Sequence, residues 1–151
     1  MGTHYRGTSH ETRALDTFIK LMRASDSVDA ELHRHLRDIG LTQGQLAILE
    51  ALLHLGPMSQ QQLAAKILRS GSNVTTVIDN LEKQELVQRI RRSDDRRVVE
   101  VSLTAKGRRH IEERFPLHAR KITELLAALE PKEQEQLAEL CKKLGKRVRH
   151  S

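Results

Sequence analysis

Aromatic side chains are almost absent. Tyr5, Phe18 and Phe115 make up the whole 2%, with no tryptophan, so the chain lacks the ring platforms on which single-stranded DNA or RNA is stacked. A single cysteine, Cys141, excludes an intrachain disulfide and any cysteine-rich zinc module and fits a reducing compartment. No long apolar run occurs, which excludes a membrane-spanning helix and a signal-peptide core and makes the cytoplasm the expected location. Met1-Gly2 opens like a myristoylation signal, but Arg6 stands where that signal wants serine or threonine. Gly-x-Ser-x-Gly, a phosphate-binding glycine loop and His-Glu-x-x-His are all missing, so no catalytic activity and no cofactor are expected. The eight histidines are poorly spaced for a metal. His33 and His35 point about 200° apart on a helix, and His110 and His118 are too far apart to chelate one ion without help.

Positive charge is plentiful. The chain of 151 residues carries a formal net charge of +6 and a pI near 9.8, which favours an anionic partner. No basic helix carries the aromatic anchors of a membrane-surface segment, and with stacking platforms missing, duplex DNA is the expected partner. The length suits one folded domain with a core of its own.

Taken in order, residues 1 to 10 lack periodicity and read as a flexible tail. From about Glu11 to Ile39, Leu15, Phe18, Ile19, Met22, Leu32 and Leu36 recur at helical intervals, with Gly40 as a stop. Such a helix spans roughly 40 Å, more than a compact domain of this size can cover. Thr42-x-x-Gln45 and Ser59-x-x-Gln62 are capping boxes that open two shorter helices; Gly56-Pro57 ends the first, and Leu63, Ala64, Ile67 and Leu68 lie along the second up to the turn Ser70-Gly71-Ser72. Beyond Leu86 the period changes to two: Val99, Val101 and Leu103 alternate with Glu100 and Ser102, and Val87 to Arg92 is long enough to pair with them as a two-stranded ribbon. Between Arg89 and Arg109 eight basic residues face three acidic ones. Thr104 is placed to cap a further long helix that Pro116 should kink, and Pro131 opens a last one with the stripe Leu137, Leu140, Cys141, Leu144 and Val148.

The rest is organised around the helix predicted from Ser72 to Leu86. Val74, Val77, Ile78 and Leu81 form its buried stripe, while Ser72, Thr76, Asp79 and Lys83, flanked by Thr75 and Asn80, crowd the opposite face with short hydrogen-bonding groups. That face suits base edges; it equally suits water.

Two helices about a glycine turn followed by a basic hairpin make a winged helix, and here the chain resembles the MarR family of bacterial transcription regulators. The resemblance rests on Gly40-Leu41-Thr42, Asn73-Val74-Thr75, Asp79-Asn80-Leu81-Glu82, Leu86-Val87-Gln88-Arg89, Asp95-Arg96-Arg97 and Leu103-Thr104-x-x-Gly107. It implies a mainly α fold (an α+β winged helix), with a winged-helix core at about 42–104 and dimerisation helices at about 11–39 and 105–148 in a single domain spanning 11–151. It implies a homodimer on a near-palindromic operator, released or modulated by a small ligand or an oxidant. The expected DNA-binding residues are Ser70, Ser72, Asn73, Thr75, Thr76, Asp79, Asn80, Lys83, Arg91, Arg92, Asp95, Arg96 and Arg97. Among these, the resemblance gives Asp95 the task of holding Arg97 for the minor groove. The apolar stripes that a wing domain cannot cover assign dimerisation to Leu15, Phe18, Met22, Leu125, Leu129, Leu137, Leu140 and Leu144. A small aromatic or lipophilic acid among aliphatic walls such as Met22, Leu36 and Leu46 is the expected effector. Cys141, on an apolar stripe, is expected to be a buried structural thiol. The alternatives are a metal- or redox-responsive regulator of the same fold, and a winged helix that docks only proteins.

Overall fold

The computed structural model describes residues 1–67 and 73–149. Leu68, Ser70, Gly71 and Ser72, expected to supply a helix end, a turn and DNA contacts, lie outside the described residues. The elements run α1 (Ser9–Asp38), α2 (Gln43–Leu55), β1 (Met58–Ser59), α3 (Gln60–Ile67), α4 (Val74–Lys83), β2 (Val87–Arg91), β3 (Val99–Leu103), α5 (Ala105–Leu126) and α6 (Pro131–Arg149). The chain forms two compact units that divide between Pro116 and Leu117, within α5.

Local chemistry sets the helix ends. α1 begins at Ser9, ahead of the expected Glu11, because Thr8 and Glu11 cap each other reciprocally. It closes on Gly40 at φ +72°, with Leu41 N–H donating to Leu36 O (2.9 Å) and Gly40 N–H to Arg37 O (3.1 Å), a Schellman ending that needs a left-handed residue. The capping box Thr42/Gln45 forms as expected, with Gln45 N–H donating to Thr42 Oγ1 (3.1 Å) and Thr42 N–H to Gln45 Oε1 (3.1 Å). Ser59 and Gln62 make the same reciprocal pair.

Met58 and Ser59 also do something the periodicity does not reveal. They pair antiparallel with Val101 and Glu100, so the expected two-stranded ribbon is a three-stranded sheet in the order β1-β3-β2. A two-residue strand is too short to show alternation. The hairpin register sets Val87 against Leu103, Arg89 against Val101 and Arg91 against Val99, which leaves β2 as an edge.

One core lies beneath the wing. Ile48, Leu49 and Leu52 of α2, Leu63 of α3, Ile78 and Leu81 of α4, Val87 and Val101 of the sheet and Ile111 of α5 are all buried, each contributing about 1.5–3 kcal/mol relative to exposure. The predicted stripe of α4 is thus inside, except that Val74 is only half-buried. α4 is shorter than expected: it stops at Lys83 because Glu85 adopts φ +60°, Glu85 N–H donating to Glu82 O and Leu86 N–H to Leu81 O (both 2.9 Å). This is again a Schellman ending, here without glycine.

α5 is fastened to that same turn. Thr104 Oγ1 donates to Glu85 O (2.6 Å) and accepts from Gly107 N–H (2.9 Å), and Lys106 Nζ donates to Gln84 O (2.9 Å). A Cβ on Gly107 would collide with the Leu86 carbonyl, which no backbone tolerates without moving. Gly107→Ala is therefore expected to destabilise the fold by about 1–3 kcal/mol, a fall in Tm of roughly 2–12 °C, read by calorimetry; an unchanged Tm contradicts the close approach. Further along, Arg114 Nε donates to Ile39 O (3.0 Å). α5 then runs on as helix through Pro116.

In the second unit Gln134 Nε2 donates to Leu126 O (3.0 Å) and Leu129 O (3.1 Å), and Glu130 N–H to Glu133 Oε2 (2.8 Å), which together fix the start of α6. Pro131 is the first residue of that helix, as its missing N–H favours. No residue of α6 is buried. Cys141 is exposed, which corrects the expectation of a buried thiol.

Candidate nucleic-acid interface

The N-terminal half of α4 is built by its cap. Asn73 Oδ1 accepts from Thr75 N–H (2.9 Å) and Thr76 N–H (3.3 Å), satisfying donors that the first turn leaves free. Asn73, Thr76, Val77 and Asn80 then line an open groove of about 300 Å³ together with Thr42 and Gln45 at the start of α2. Thr75 points elsewhere in the network, its Oγ1 accepting from Gln60 Nε2 of α3 (2.6 Å). Sequence reasoning missed Thr42, Gln45 and Gln60 as members of this surface. Each lies at the start of a helix that the fold brings beside α4, but in the sequence Thr42 and Gln45 read only as capping residues and Gln60 carries no signal of its own.

Asp79 and Lys83 do not line that groove. Asp79 Oδ1 accepts from Arg89 Nη2 of β2 at 2.6 Å, and Glu82 Oε1 accepts from Arg89 Nη1 at 3.0 Å. The expected single reading face is thereby divided: Thr76 and Asn80 look into the groove, while Asp79 is turned to the wing. Lys83 is exposed in the last turn, where a cation suits the helix dipole.

The wing carries the charge. Arg91 Nη1 donates to Arg96 O (2.9 Å), and Arg92 holds Asp94 through Nε (2.8 Å) and Nη2 (2.5 Å). Asp95 Oδ1 accepts from the backbone N–H (3.0 Å) and from Nε (3.1 Å) of Arg97. The expected Asp95–Arg97 bond is therefore present, and it leaves the Arg97 side chain 92% exposed. The side-chain bond from Arg97, seconded by its backbone N–H, holds the Asp95 carboxyl below the usual range, as the bond from Arg92 does for Asp94. Arg96 is exposed beside them. Donors fixed on the wing and a polar groove at α4 are features that suit phosphates and base edges.

Of the expected effector walls, Leu36 and Leu46 are core residues and Met22 is 44% exposed, so the three are not presented alike to a ligand. Among the described residues no three His, Cys, Asp or Glu side chains gather as a metal group, and no helix is long and apolar enough to cross a membrane. Of the expected dimerisation residues, Phe18, Met22, Leu137, Leu140 and Leu144 are exposed, and Leu15, Leu125 and Leu129 are half-buried.

A model of the MarR family matches residues 41–99. The chain is 36% identical over 133 residues to the HTH-type transcriptional regulator MhqR of Bacillus subtilis, covering 88% of this chain and 92% of that protein. Its structure is similar to that of BpsR of Bordetella bronchiseptica, whose DNA binding is regulated by 6-hydroxynicotinic acid: TM-score 0.71, 26% identity, 85% of this chain and 98% of that one. AbsC of Streptomyces coelicolor, a MarR-family regulator, shares the fold at a TM-score of 0.82 and 21% identity, over 97% and 100% of the two chains.

Proposed function

The chain belongs to the MarR family of transcription regulators, and from that premise we infer that it is a repressor that binds a near-palindromic duplex operator as a homodimer and is released by a small lipophilic or aromatic ligand. The observation that carries the reading is the polar groove of Asn73, Thr76 and Asn80 on a helix tied to a wing whose Arg97 is bonded to Asp95 and left exposed. In a two-fold dimer the two α4 helices enter successive major grooves about 34 Å apart. Thr76 and Asn80 meet base edges, Arg91, Arg92 and Arg96 meet phosphates, and Arg97 enters the flanking minor groove, where narrow A·T tracts concentrate negative potential.

Ligand control has a mechanical route in this reading. The end of α4 is bonded at Glu85 and Leu86 to Thr104 and packed there on Gly107 of α5, so a change in how the dimer helices cross moves the reading helix. A preference of a few kcal/mol for the non-binding arrangement suffices, since about 1.4 kcal/mol is tenfold in affinity. That BpsR responds to 6-hydroxynicotinic acid supports a small aromatic acid as the class of effector.

The test is duplex binding as a function of salt. With about six to ten phosphate contacts, affinity falls by about 10³ to 10⁵ between 50 and 200 mM salt; affinity flat with salt overturns the reading. The same assay, run with phenolic acids, quinones and 6-hydroxynicotinate alongside zinc, a chelator and peroxide, identifies the effector class. The redox alternative rests on Cys141, which is exposed in the single chain but lies on the stripe that the proposed dimer covers. Release by peroxide that Cys141→Ser abolishes would establish it instead.

A further inference from the structure

Arg89 sits where the strand pattern calls for an apolar side chain. It lies directly across from buried Val101 in the hairpin register, on the side of β2 that begins with buried Val87, and its side chain is only 25% exposed. The neighbouring position shows the opposite anomaly, with Ile90 50% exposed. A cation placed inward on a sheet face needs partners, and here it has two carboxylates from the recognition helix, Asp79 at 2.6 Å and Glu82 at 3.0 Å. Glu82 makes a further bond, its Oε2 accepting from the backbone N–H of Arg89 (3.2 Å). That occupies a donor on the edge strand and grips side chain and backbone together.

The consequence concerns charge as much as geometry. Asp79 and Glu82 are the acidic residues of α4, and without a counter-ion both would carry negative charge beside a polyanion. Arg91 and Arg92, by contrast, bond to the hairpin's own residues, Arg96, Asp94 and Glu100.

We propose that Arg89 is a positioning residue for operator binding: an internal counter-ion that pairs with both Asp79 and Glu82, offsets one of their two charges and locks α4 to the wing, touching neither phosphate nor base. The proposal rests on the DNA-binding reading above. It also takes Asp79 out of base readout, because its carboxylate is occupied by Arg89 in the binding arrangement.

The experiment measures duplex affinity and its salt slope for the full chain and its variants, each first checked by thermal melting. Arg89→Gln is expected to weaken binding to every duplex by at least about tenfold, since it leaves two carboxylates facing phosphates without their partner. Adding Asp79→Asn and Glu82→Gln to Arg89→Gln restores most of the affinity, because the repulsion goes with the charges. Arg91→Gln, the comparison, lowers the slope by about 1 for each phosphate that is no longer neutralised. Asp79→Asn alone leaves the rank order of operator sequences intact. The proposal is overturned by a triple variant no better than the single one, or by a changed rank order in Asp79→Asn. Should Arg89→Gln fail to fold, the triple variant decides alone: near-native affinity with an unchanged slope supports the proposal, and a lowered slope defeats it. A native chain that binds no duplex defeats the DNA-binding reading as well, whereas a binding native chain with additive variants defeats only this one.

Discussion

Replacing Leu140 and Leu144 together by glutamate is expected to convert the protein to a monomer of 17.2 kDa and to lower operator affinity by about 10² to 10⁴. Leu137, Leu140, Leu144 and Val148 lie on one stripe of α6 and are 42%, 63%, 49% and 66% exposed, an apolar surface that a single chain leaves to water. Burying a leucine is worth about 1.5–3 kcal/mol, and a two-fold interface counts each substitution twice. The charge change is therefore expected to exceed what the interface can absorb. Binding suffers because the second half-site no longer meets a tethered reading head. The core beneath the wing contains neither residue, so the winged unit is expected to keep its helical signal. Light scattering at micromolar concentration decides the matter. A variant that still has twice the chain mass shows that α6 is not the interface.

The parts of this molecule that local chemistry specifies are legible in the sequence. Thr42 and Gln45, Ser59 and Gln62, Gly40 and Pro131 each carry an ending or a beginning in their own side chains, and each is found doing so. Where an element is set by tertiary packing, the pattern misleads. Periodicity carries the recognition helix on to Leu86 because no glycine marks its end, yet Glu85 takes the left-handed conformation once Leu86 is buried and its carbonyl is drawn to Thr104. β1 is invisible because two residues have no period. The polar face of α4 looks like one surface, since a helical wheel shows direction and not partners; Arg89, reaching across from β2, claims Asp79 and divides it. Gly107 stands in the motif, but its reason, the approach of the Leu86 carbonyl, exists only in three dimensions.

Arg97→Ala is expected to weaken operator binding by roughly ten- to a hundredfold for each wing, about 10² to 10⁴ for a dimer, the size of a lost charge-assisted hydrogen bond. The pre-set geometry is the reason for so large an effect. Arg97 is 92% exposed and yet bonded at Nε to Asp95, so in the proposed complex the side chain would meet DNA with part of its rotamer entropy already lost. Asp95→Asn should then cost less than Arg97→Ala, because the cation remains and only its orientation relaxes. The sign with pH follows from the depressed Asp95 carboxyl: a group whose folded pKa is lowered keeps its partner above the ordinary carboxylate range and loses it as pH falls through the lowered value. Binding should thus be insensitive to this pair between about pH 6 and pH 9. Fluorescence anisotropy on an operator duplex, repeated on one whose flanking A·T tract is replaced by G·C, separates the two contributions. Arg97→Ala should erase most of the preference for the A·T flank, which Thr76→Ala should leave in place while altering preference at the major-groove bases. If Arg97→Ala kept native affinity and flank preference, the wing would have no role in the minor groove, and the Asp95–Arg97 bond would be only a turn that closes the hairpin tip.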